Sequence, residues 1–216
     1  MSALFSKKFN HIKGPMSDLT EAILKRRTIK PSTFSKKIPD HSIIRECIKL
    51  SRHAPNHHRT EPARFYLLDS ERIQKVGQLF GEIVAQDRSD PRLIERGKKK
   101  ANEWGNAPGL LIVTCHTDRA SELVQKKPTV VEEDYATCCC ICQNLLLLLE
   151  NNAIATKWST GPVWEHAKFA ETIGLSSIEN ERVVGLIFFG YSEQALPART
   201  LFPLKDHLKD YTCPAE

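Results

Sequence analysis

The amino-acid sequence predicts an α+β fold, with one central sheet and helices packed around it. Short apolar runs that are typical of strands occur at residues 64–68, 110–115 and 183–189. Helical segments outweigh these strands and do not alternate with them regularly, as the βαβ units of an α/β fold would. The stretch 131–152 is helical and is apolar nearly all round from Cys138 to Leu149, which indicates a helix buried on most sides.

The composition is that of one globular domain. The chain has 216 residues, of which 41% are hydrophobic and 26% are charged. We therefore expect an irregular lead-in over residues 1–15 and a single domain over residues 16–216. The net charge of +5 leaves a solvated surface, an anionic small-molecule ligand or nucleic acid open. We expect no nucleic-acid partner, because aromatic residues are not interleaved with the basic run 96–100.

The cysteines and the apolar segments predict the compartment. There are seven cysteines, and four of them crowd into residues 138–142, which suggests reduced thiols rather than a disulfide scaffold. The first residues lack the apolar core of a signal peptide, and no stretch reaches the roughly 20 apolar residues that span a bilayer. We expect a cytoplasmic protein without a membrane partner.

Capping and breaking residues predict the remaining elements. A helix begins at Ser17 or Asp18 and ends in the basic run 25–27, and Asp40 caps a second helix. Further elements are expected at 71–104 (helical, broken near residues 90–91), 153–158 (a short strand) and 165–173 (a helix that stops at Gly174).

The absence of common catalytic motifs points to a bound cofactor. The chain has no Gly-x-Gly-x-x-Gly opening a helix, no Walker phosphate loop, no His-Glu-x-x-His and no Gly-x-Ser-x-Gly. An enzyme without an evident cluster of acid, base or nucleophile can obtain its chemistry from a cofactor. Three segments stand out as candidate binding residues.

The first segment is Arg26-Arg27-Thr28-Ile29-Lys30, at the end of the first helix. Two guanidinium groups beside a hydroxyl suit a phosphate monoester, because arginine binds phosphate through two parallel hydrogen bonds. The alternative is that these basic residues only stabilise the C-terminus of the helix. The residues alone leave both interpretations open.

The other two segments are polar and lie beside predicted strands. Residues 52–65 form a loop dense in polar donors, where either ligand contacts or plain solvation are expected. Residues 156–162 place a tryptophan and two hydroxyls before a glycine turn. They can flank an aromatic ligand, or the tryptophan can belong to the core.

Together, the three segments resemble the nitroreductase family of FMN enzymes in their order and approximate spacing. An early helix ends in Arg-Arg-Thr, an Ala-Pro-Asn-His loop leads into a strand, and Trp-Ser-Thr-Gly follows the buried helix. The similarity runs from about residue 16 to residue 211 and is greatest to the short single-domain bacterial subgroup with histidine in the Ala-Pro loop. It implies a central, mainly antiparallel sheet surrounded by helices, and a homodimer with FMN in a cleft at the subunit interface.

The resemblance also implies an activity and a set of site residues. Reducing equivalents would pass from NAD(P)H through FMN to a small organic acceptor, of nitroaromatic or quinone type, by a two-step ping-pong mechanism without a catalytic side chain. Lys30 matches a basic residue near the N1/C2=O edge of the flavin, where a cation favours the reduced state. The implied cofactor-binding residues are Arg26, Arg27 and Thr28 at the phosphate and ribityl end, Lys30, the loop residues His53 and His57, and the late strip Trp158, Ser159 and Thr160.

Some residues depart from the family pattern. Glu61 and Ala63 stand where the family usually has Gln and Trp, and Arg59 replaces a common Asn. These changes bear on local packing and on substrate preference. Arg199 resembles a C-terminal basic residue that many members use for phosphate, and its role is left open, as are the physiological acceptor and the choice between NADH and NADPH.

The cysteine cluster carries the alternative function. On a helix Cys138 and Cys142 share one face, but Cys-Cys-Cys-x-Cys is not a usual zinc spacing, and cysteine is among the most buried residue types. We expect these cysteines to pack in the core. The alternative is a cysteine-based metal- or redox-responsive binding protein without flavin, which would be colourless when purified.

Overall fold

The computed structural model describes residues 18–87, 89–175 and 179–209, together with Thr212. The predicted lead-in over residues 1–15 and the predicted cap Ser17 lie outside the described residues, and the domain boundary at residue 16 stays a prediction. Within the described part, no helix combines the length and the apolar character that crossing a membrane requires.

Four strands form one sheet in which every neighbouring pair is antiparallel, so the predicted sheet type is confirmed. The strands are β1 (Ala63–Leu67), β2 (Leu110–His116), β3 (Ala155–Ser159) and β4 (Glu181–Gly190). Their spatial order is β1-β2-β4-β3. The strands β1 and β3 are therefore the two edges, and each carries one of the polar segments singled out above.

Seven α-helices of the described residues surround the sheet, as predicted for an α+β fold. They are α1 (Asp18–Lys25), α2 (His41–Ser51), α3 (Ser70–Val84), α4 (Pro91–Gly105), α5 (Glu122–Lys126), α6 (Val130–Asn151) and α7 (Phe169–Ile173). Asp40 caps α2 as predicted, since its carboxylate accepts a hydrogen bond from the backbone N–H of Ser42.

One predicted helix is shorter than expected. Within residues 165–173, only α7 is α-helical, while Pro162–Glu165 forms a 3-10 turn. His166 has an extended backbone conformation (φ −67°, ψ 130°) and interrupts the helical path between the two. The predicted stop is confirmed, because Gly174 adopts the left-handed conformation (φ 77°) that ends many helices.

The core has two apolar layers, one on each face of the sheet. One layer lies between the sheet and helices α2 and α6, and the other lies between the sheet and helices α3, α4 and α7. Helix α6 carries much of the first layer, with Cys138, Cys142 and Leu145 fully buried. Its burial is less complete than predicted, because Cys140 and Gln143 are exposed on its outer face.

Helices α3 and α4 pack backbone against backbone. A Cβ atom added at Gly77 would lie 2.4 Å from the backbone nitrogen of Gly105, and one at Gly97 would lie 2.6 Å from the carbonyl oxygen of Gly81. Small residues at this contact allow the close approach. The approach fixes α4 against the sheet layer and thereby positions Glu103 and Trp104, which belong to the site described next.

Candidate functional site

A short parallel bridge brings two of the three candidate segments together. Thr28 pairs with Thr156 at the outer edge of β3, and the backbone N–H of Ile29 donates to the carbonyl of Thr156 at 2.9 Å. The segment Arg26–Lys30 therefore lies beside the strand that leads into Thr160. Sequence spacing alone did not establish this contact, since about 130 residues separate the two segments.

The two arginines of this segment have different environments. Arg27 donates from Nη1 to the carbonyls of Leu24 (2.7 Å) and Arg26 (2.8 Å), at the C-terminus of α1. Arg27 thus fits the helix-end interpretation. Arg26 is half-buried and acts on Glu150: burial raises the pKa of Glu150, and the positive charge of Arg26 opposes that rise.

The late strip also divides into packing and accessible residues. The indole N–H of Trp158 donates to the carbonyl of Val184 at 3.3 Å, and its ring lies where a Cβ of Gly185 would be. Trp158 therefore packs against β4, as the core interpretation has it. Ser159 is buried, whereas Thr160 is exposed at the end of the strand.

A charged cluster beside this strip was not among the predicted site residues. Lys157 Nζ lies 3.5 Å from Glu103 Oε1, and Lys100 Nζ lies 2.5 Å from Glu103 Oε2. The side chains of Glu103 and Lys157 are only 13% and 20% exposed. Lys157 also lies over the ring of Trp104, with Nζ 5.7 Å from the ring centroid.

Two buried polar atoms of this cluster lack hydrogen-bond partners among the described residues. They are Glu103 Oε1 and the indole nitrogen of Trp104. Trp104 lies beneath the glycine turn, since a Cβ at Gly161 would be 3.9 Å from its ring. Buried polar atoms nearly always have a hydrogen-bond partner, and Glu103 Oε1 has only its 3.5 Å ionic contact with Lys157, so both atoms are candidates for contact with a ligand.

Burial and charge oppose each other within the cluster. Burial alone would raise the pKa of Glu103, but the ammonium groups of Lys100 and Lys157 hold it below its ordinary value. Burial lowers the pKa of Lys157; Glu103 opposes this, while Lys100 and Lys30 lower it further. The influence of Lys30 on Lys157 brings the exposed end of the Arg26–Lys30 segment into the same electrostatic field.

The remaining candidate segment lies at the opposite edge of the sheet. The loop between α2 and β1 borders a cavity of about 900 Å³, and His53, Arg59, Glu61 and Ala63 line it. Its other basic lining residues are Arg45, Lys49, Arg52 and Arg64. Arg59 (φ 53°) and Glu61 (φ 45°) both have left-handed backbone conformations, which are uncommon for residues other than glycine. All three departures from the family pattern thus face this cavity.

A buried carboxylate clamps the loop. Asp134 of α6 accepts hydrogen bonds from the hydroxyls of Thr60 (2.5 Å) and Thr117 (2.7 Å). Thr137 of the same helix donates to the carbonyl of Pro55 at 3.0 Å. These contacts supply the rigidity that offsets the strained backbone at Arg59. Both predicted histidines are exposed, but His53 lines the cavity whereas the ring of His57 packs against that of His58.

Within one chain the two halves of the predicted site do not meet. The loop enters β1 at Ala63, which pairs with Cys115 near the end of β2. At the other edge, Thr156 pairs with Phe189 of β4, whose backbone N–H donates to the carbonyl of Gly109, just before β2 begins. Three strand spacings and about five residues along a strand separate them, which amounts to about 20 Å. At a backbone separation of about 20 Å, the two halves do not contact each other within a single chain.

Comparison with known proteins decides the family. The sequence profile of the nitroreductase family matches residues 23–191. The chain belongs to the nitroreductase family. It is 26% identical over 195 residues to a Bacillus subtilis protein, YfhC, that is provisionally named an NAD(P)H nitroreductase; the match covers 90% of this chain and 94% of that protein.

Solved structures of other nitroreductases share the fold. A nitroreductase-like protein from Bacillus cereus has a TM-score of 0.73 at 23% identity, covering 93% of this chain and 99% of its own. A nitroreductase with bound FMN from Bacteroides fragilis has a TM-score of 0.65 at 19% identity, covering 93% and 100%. An NADPH:FMN oxidoreductase from Vibrio harveyi in complex with NAD+ has a TM-score of 0.66 at 16% identity, covering 93% and 80%.

In this nitroreductase the cysteine cluster is divided between core and surface. Cys138 and Cys142 are buried, as predicted, whereas Cys139 is half-buried and Cys140 is exposed. Among the described residues, no cysteine belongs to a group of three side chains that could hold a metal ion. Arg199 lies exposed in the C-terminal segment beyond β4, which has little regular structure.

The ion pair of Glu103 should support the fold of this nitroreductase in a pH-dependent way. We expect Glu103→Gln to lower the free energy of unfolding by about 1–3 kcal/mol at neutral pH, because it leaves the half-buried Lys157 without its counter-charge. The pKa of Glu103 is depressed on folding, so its stabilisation is present above its ordinary value of 4.5 and is lost as the pH falls through the lower folded pKa.

Urea unfolding at a series of pH values tests this expectation. The matched control is Glu71→Gln, since Glu71 pairs with Lys75 at 2.7 Å but is 76% exposed, and it should cost less than about 0.5 kcal/mol. A difference between wild type and Glu103→Gln that persists unchanged well below pH 4.5 would contradict the assignment.

Proposed function

We propose that this nitroreductase binds FMN and passes reducing equivalents from NAD(P)H to a small organic acceptor of nitroaromatic or quinone type. The observation that carries the proposal is the bridge between Thr28 and Thr156, which places the basic segment beside the half-buried Lys157–Glu103 pair. The bound FMN of the Bacteroides fragilis relative and the NADPH:FMN oxidoreductase activity of the Vibrio harveyi relative support the same cofactors.

The residues at the β3 edge fit the parts of FMN. Arg26 and the hydroxyl of Thr28 suit the phosphate, because they offer a charged fork and a donor at the end of α1. Lys30 and Lys157 suit the polar edge of the flavin. The indole N–H of Trp104 is a buried donor without a hydrogen-bond partner among the described residues, and Glu103 Oε1 is a buried acceptor whose contact with Lys157 is ionic. Thr160 and the buried hydroxyl of Ser159 complete this half of the site.

FMN, when bound, supplies the redox chemistry by accepting a hydride and passing the reducing equivalents on. The side chains of the chain then act through charge and position. Lys30 and Lys157 would stabilise the negative charge that a reduced flavin carries near N1. Glu103 limits the positive charge of the cluster and orients Lys157. No side chain is required as a nucleophile or a base.

We propose that a homodimer completes the site. The loop with His53 and Arg59 lies about 20 Å from the basic segment of its own chain, so a second copy has to bring it to the cofactor. His57 stays in the proposed set as a loop residue, although its ring packs on His58. The hydrogen bonds to Asp134 hold the loop in one conformation. This lowers the entropy that the loop would lose when a second copy of the chain binds.

Exposed apolar residues supply surface for the second copy. Leu19, Ile23 and Leu50 are 59%, 53% and 45% exposed. Together with Leu147 and Leu148 of α6, Leu19 and Leu50 border a shallow groove of about 350 Å³. The C-terminal segment adds Leu196, Leu201, Phe202, Leu204 and Leu208, all exposed. Apolar surface of this extent is typical of an interface rather than of a free monomer.

The purified protein should contain FMN and show ping-pong kinetics. Mass spectrometry of the heat-released cofactor should give FMN rather than FAD, since the chain lacks the glycine fingerprint that holds an ADP moiety. Initial rates measured against NAD(P)H and a quinone should give parallel double-reciprocal lines. A chain that takes up no flavin from excess FMN would overturn the proposal, and intersecting lines would refute the two-step mechanism alone.

The two arginines should respond differently to substitution. Arg26→Ala should weaken FMN by about 1.5–3 kcal/mol, roughly ten- to hundredfold in Kd, because a charged phosphate contact is lost. Riboflavin, which has no phosphate, should lose much less. Arg27→Ala should instead cost about 0.3–1 kcal/mol of stability, since Arg27 already donates to the carbonyls at the end of α1.

Titrations of both variants with FMN and riboflavin, with unfolding measured in the absence of ligand, separate these outcomes. Equal losses for FMN and riboflavin in Arg26→Ala would remove the phosphate role.

Mixed dimers test whether the two halves come from different chains. One chain carries Arg26→Glu, and a differently tagged chain carries His53→Glu with Arg59→Glu. Each variant alone should bind little FMN. Purified through both tags, the mixed dimer should bind about one FMN per dimer, because one of its two sites combines an intact basic segment with an intact loop. Absence of FMN from a folded mixed dimer would place both halves of each site on one chain.

A further inference from the structure

We propose a divalent metal site, suited to Zn²⁺, formed by His57, His58 and Glu133. One ligand atom from each residue lies within 4.8 Å of the others. The cluster joins the loop between α2 and β1 to the first turns of α6. It lies beside the cavity at the β1 edge. It does not depend on the proposed FMN function, in which the imidazole of His57 would be free to contact the cofactor only when no metal is bound.

The distances suit coordination better than a direct contact. His58 Nε2 and Glu133 Oε2 are 3.6 Å apart, which is too long for a good hydrogen bond. Nitrogen and oxygen ligands lie about 2.0–2.2 Å from zinc, so two ligands of a tetrahedral ion stand about 3.4 Å apart. The rings of His57 and His58 meet edge to face, with centroids 4.2 Å apart, and both can turn a nitrogen toward the same point.

The carboxylate has an unsatisfied oxygen. Glu133 Oε2 is buried and has no hydrogen-bond partner among the described residues, although the side chain as a whole is 40% exposed. A buried carboxylate oxygen without a donor is costly, and a metal ion in contact with it would remove that cost. Two imidazoles and one carboxylate are also the ligand set of several zinc sites that keep a fourth position for water.

The backbone around the ligands is already fixed. Asp134, next to Glu133, is occupied by the hydroxyls of Thr60 and Thr117 and does not compete as a ligand. Asn56 accepts from the backbone N–H of Glu61 at 2.9 Å, which closes the loop around the two histidines. Metal binding therefore orders little that is not ordered already. It would lock the loop that also presents His53 and Arg59.

The test is a calorimetric titration of the purified full-length protein with ZnCl2, in a Cys140→Ser background that removes the exposed thiol. The parent protein should bind one equivalent of zinc. His58→Ala and Glu133→Gln should each weaken zinc binding by at least about tenfold, because each removes a ligand. Glu133→Asp should also weaken it, since it keeps the charge but withdraws the carboxylate by one methylene.

The matched control is His166→Ala. His166 is as buried as His58 and lies 3.3 Å from Glu82, but among the described residues no second histidine completes that pair. The His166→Ala variant should leave zinc binding unchanged. Zinc should raise the unfolding temperature of the parent and of the control but not that of Glu133→Gln. Absence of a zinc equivalent in the parent, or a zinc affinity in His58→Ala and Glu133→Gln equal to that of the parent, would overturn the proposal. The FMN content of each sample reports separately on the cofactor.

Discussion

The order of the strands is the constraint on which the candidate site depends. With β1 and β3 at opposite edges, the histidine-bearing loop and the Arg26–Lys30 segment are fixed at diagonal corners of the sheet. Two rigid connections hold them there, namely the Thr28–Thr156 bridge at one corner and the Asp134 clamp at the other. The proposed second copy of the chain would explain why residues so dispersed share one motif pattern, because a two-fold axis would present each corner to the opposite corner of the partner.

Much of the fold could be predicted because local sequence and tertiary structure agree. The strand runs, the Asp40 cap, the break near residue 90 and the Gly174 stop all depend on short-range patterns, and the structure confirms them. The helix expected over 165–173 failed where one residue, His166, takes an extended backbone conformation. No periodicity in the sequence signals such a local choice. The predicted burial of α6 was too complete, because Cys140 and Gln143 are exposed on its outer face.

The site was less predictable, because its chemistry depends on burial. Glu103 follows a run of basic residues on α4 and has the sequence context of a solvated helix face, yet its side chain is largely buried beside Lys157 of β3. Trp158 and Arg27 show the converse. Both match residue types of the family motif, but they donate hydrogen bonds to the backbone carbonyls of Val184 and Leu24. Residue type selected the candidate segments, whereas the hydrogen-bond partners show which of their residues pack against the rest of the chain.

The loop between α2 and β1 joins the two proposals physically. Its left-handed residues Arg59 and Glu61 are strained conformations that persist only when the surrounding structure fixes them. Asp134 of α6 holds the loop through its hydrogen bond with Thr60. A metal ion bound by His57, His58 and Glu133 would hold the loop to the neighbouring residue of the same helix. Since the cavity lining at this edge belongs to the same loop, any change in these contacts alters the position of His53 and Arg59 directly. The three residues that depart from the family pattern, Arg59, Glu61 and Ala63, thus lie together in a segment whose conformation depends on its contacts with α6.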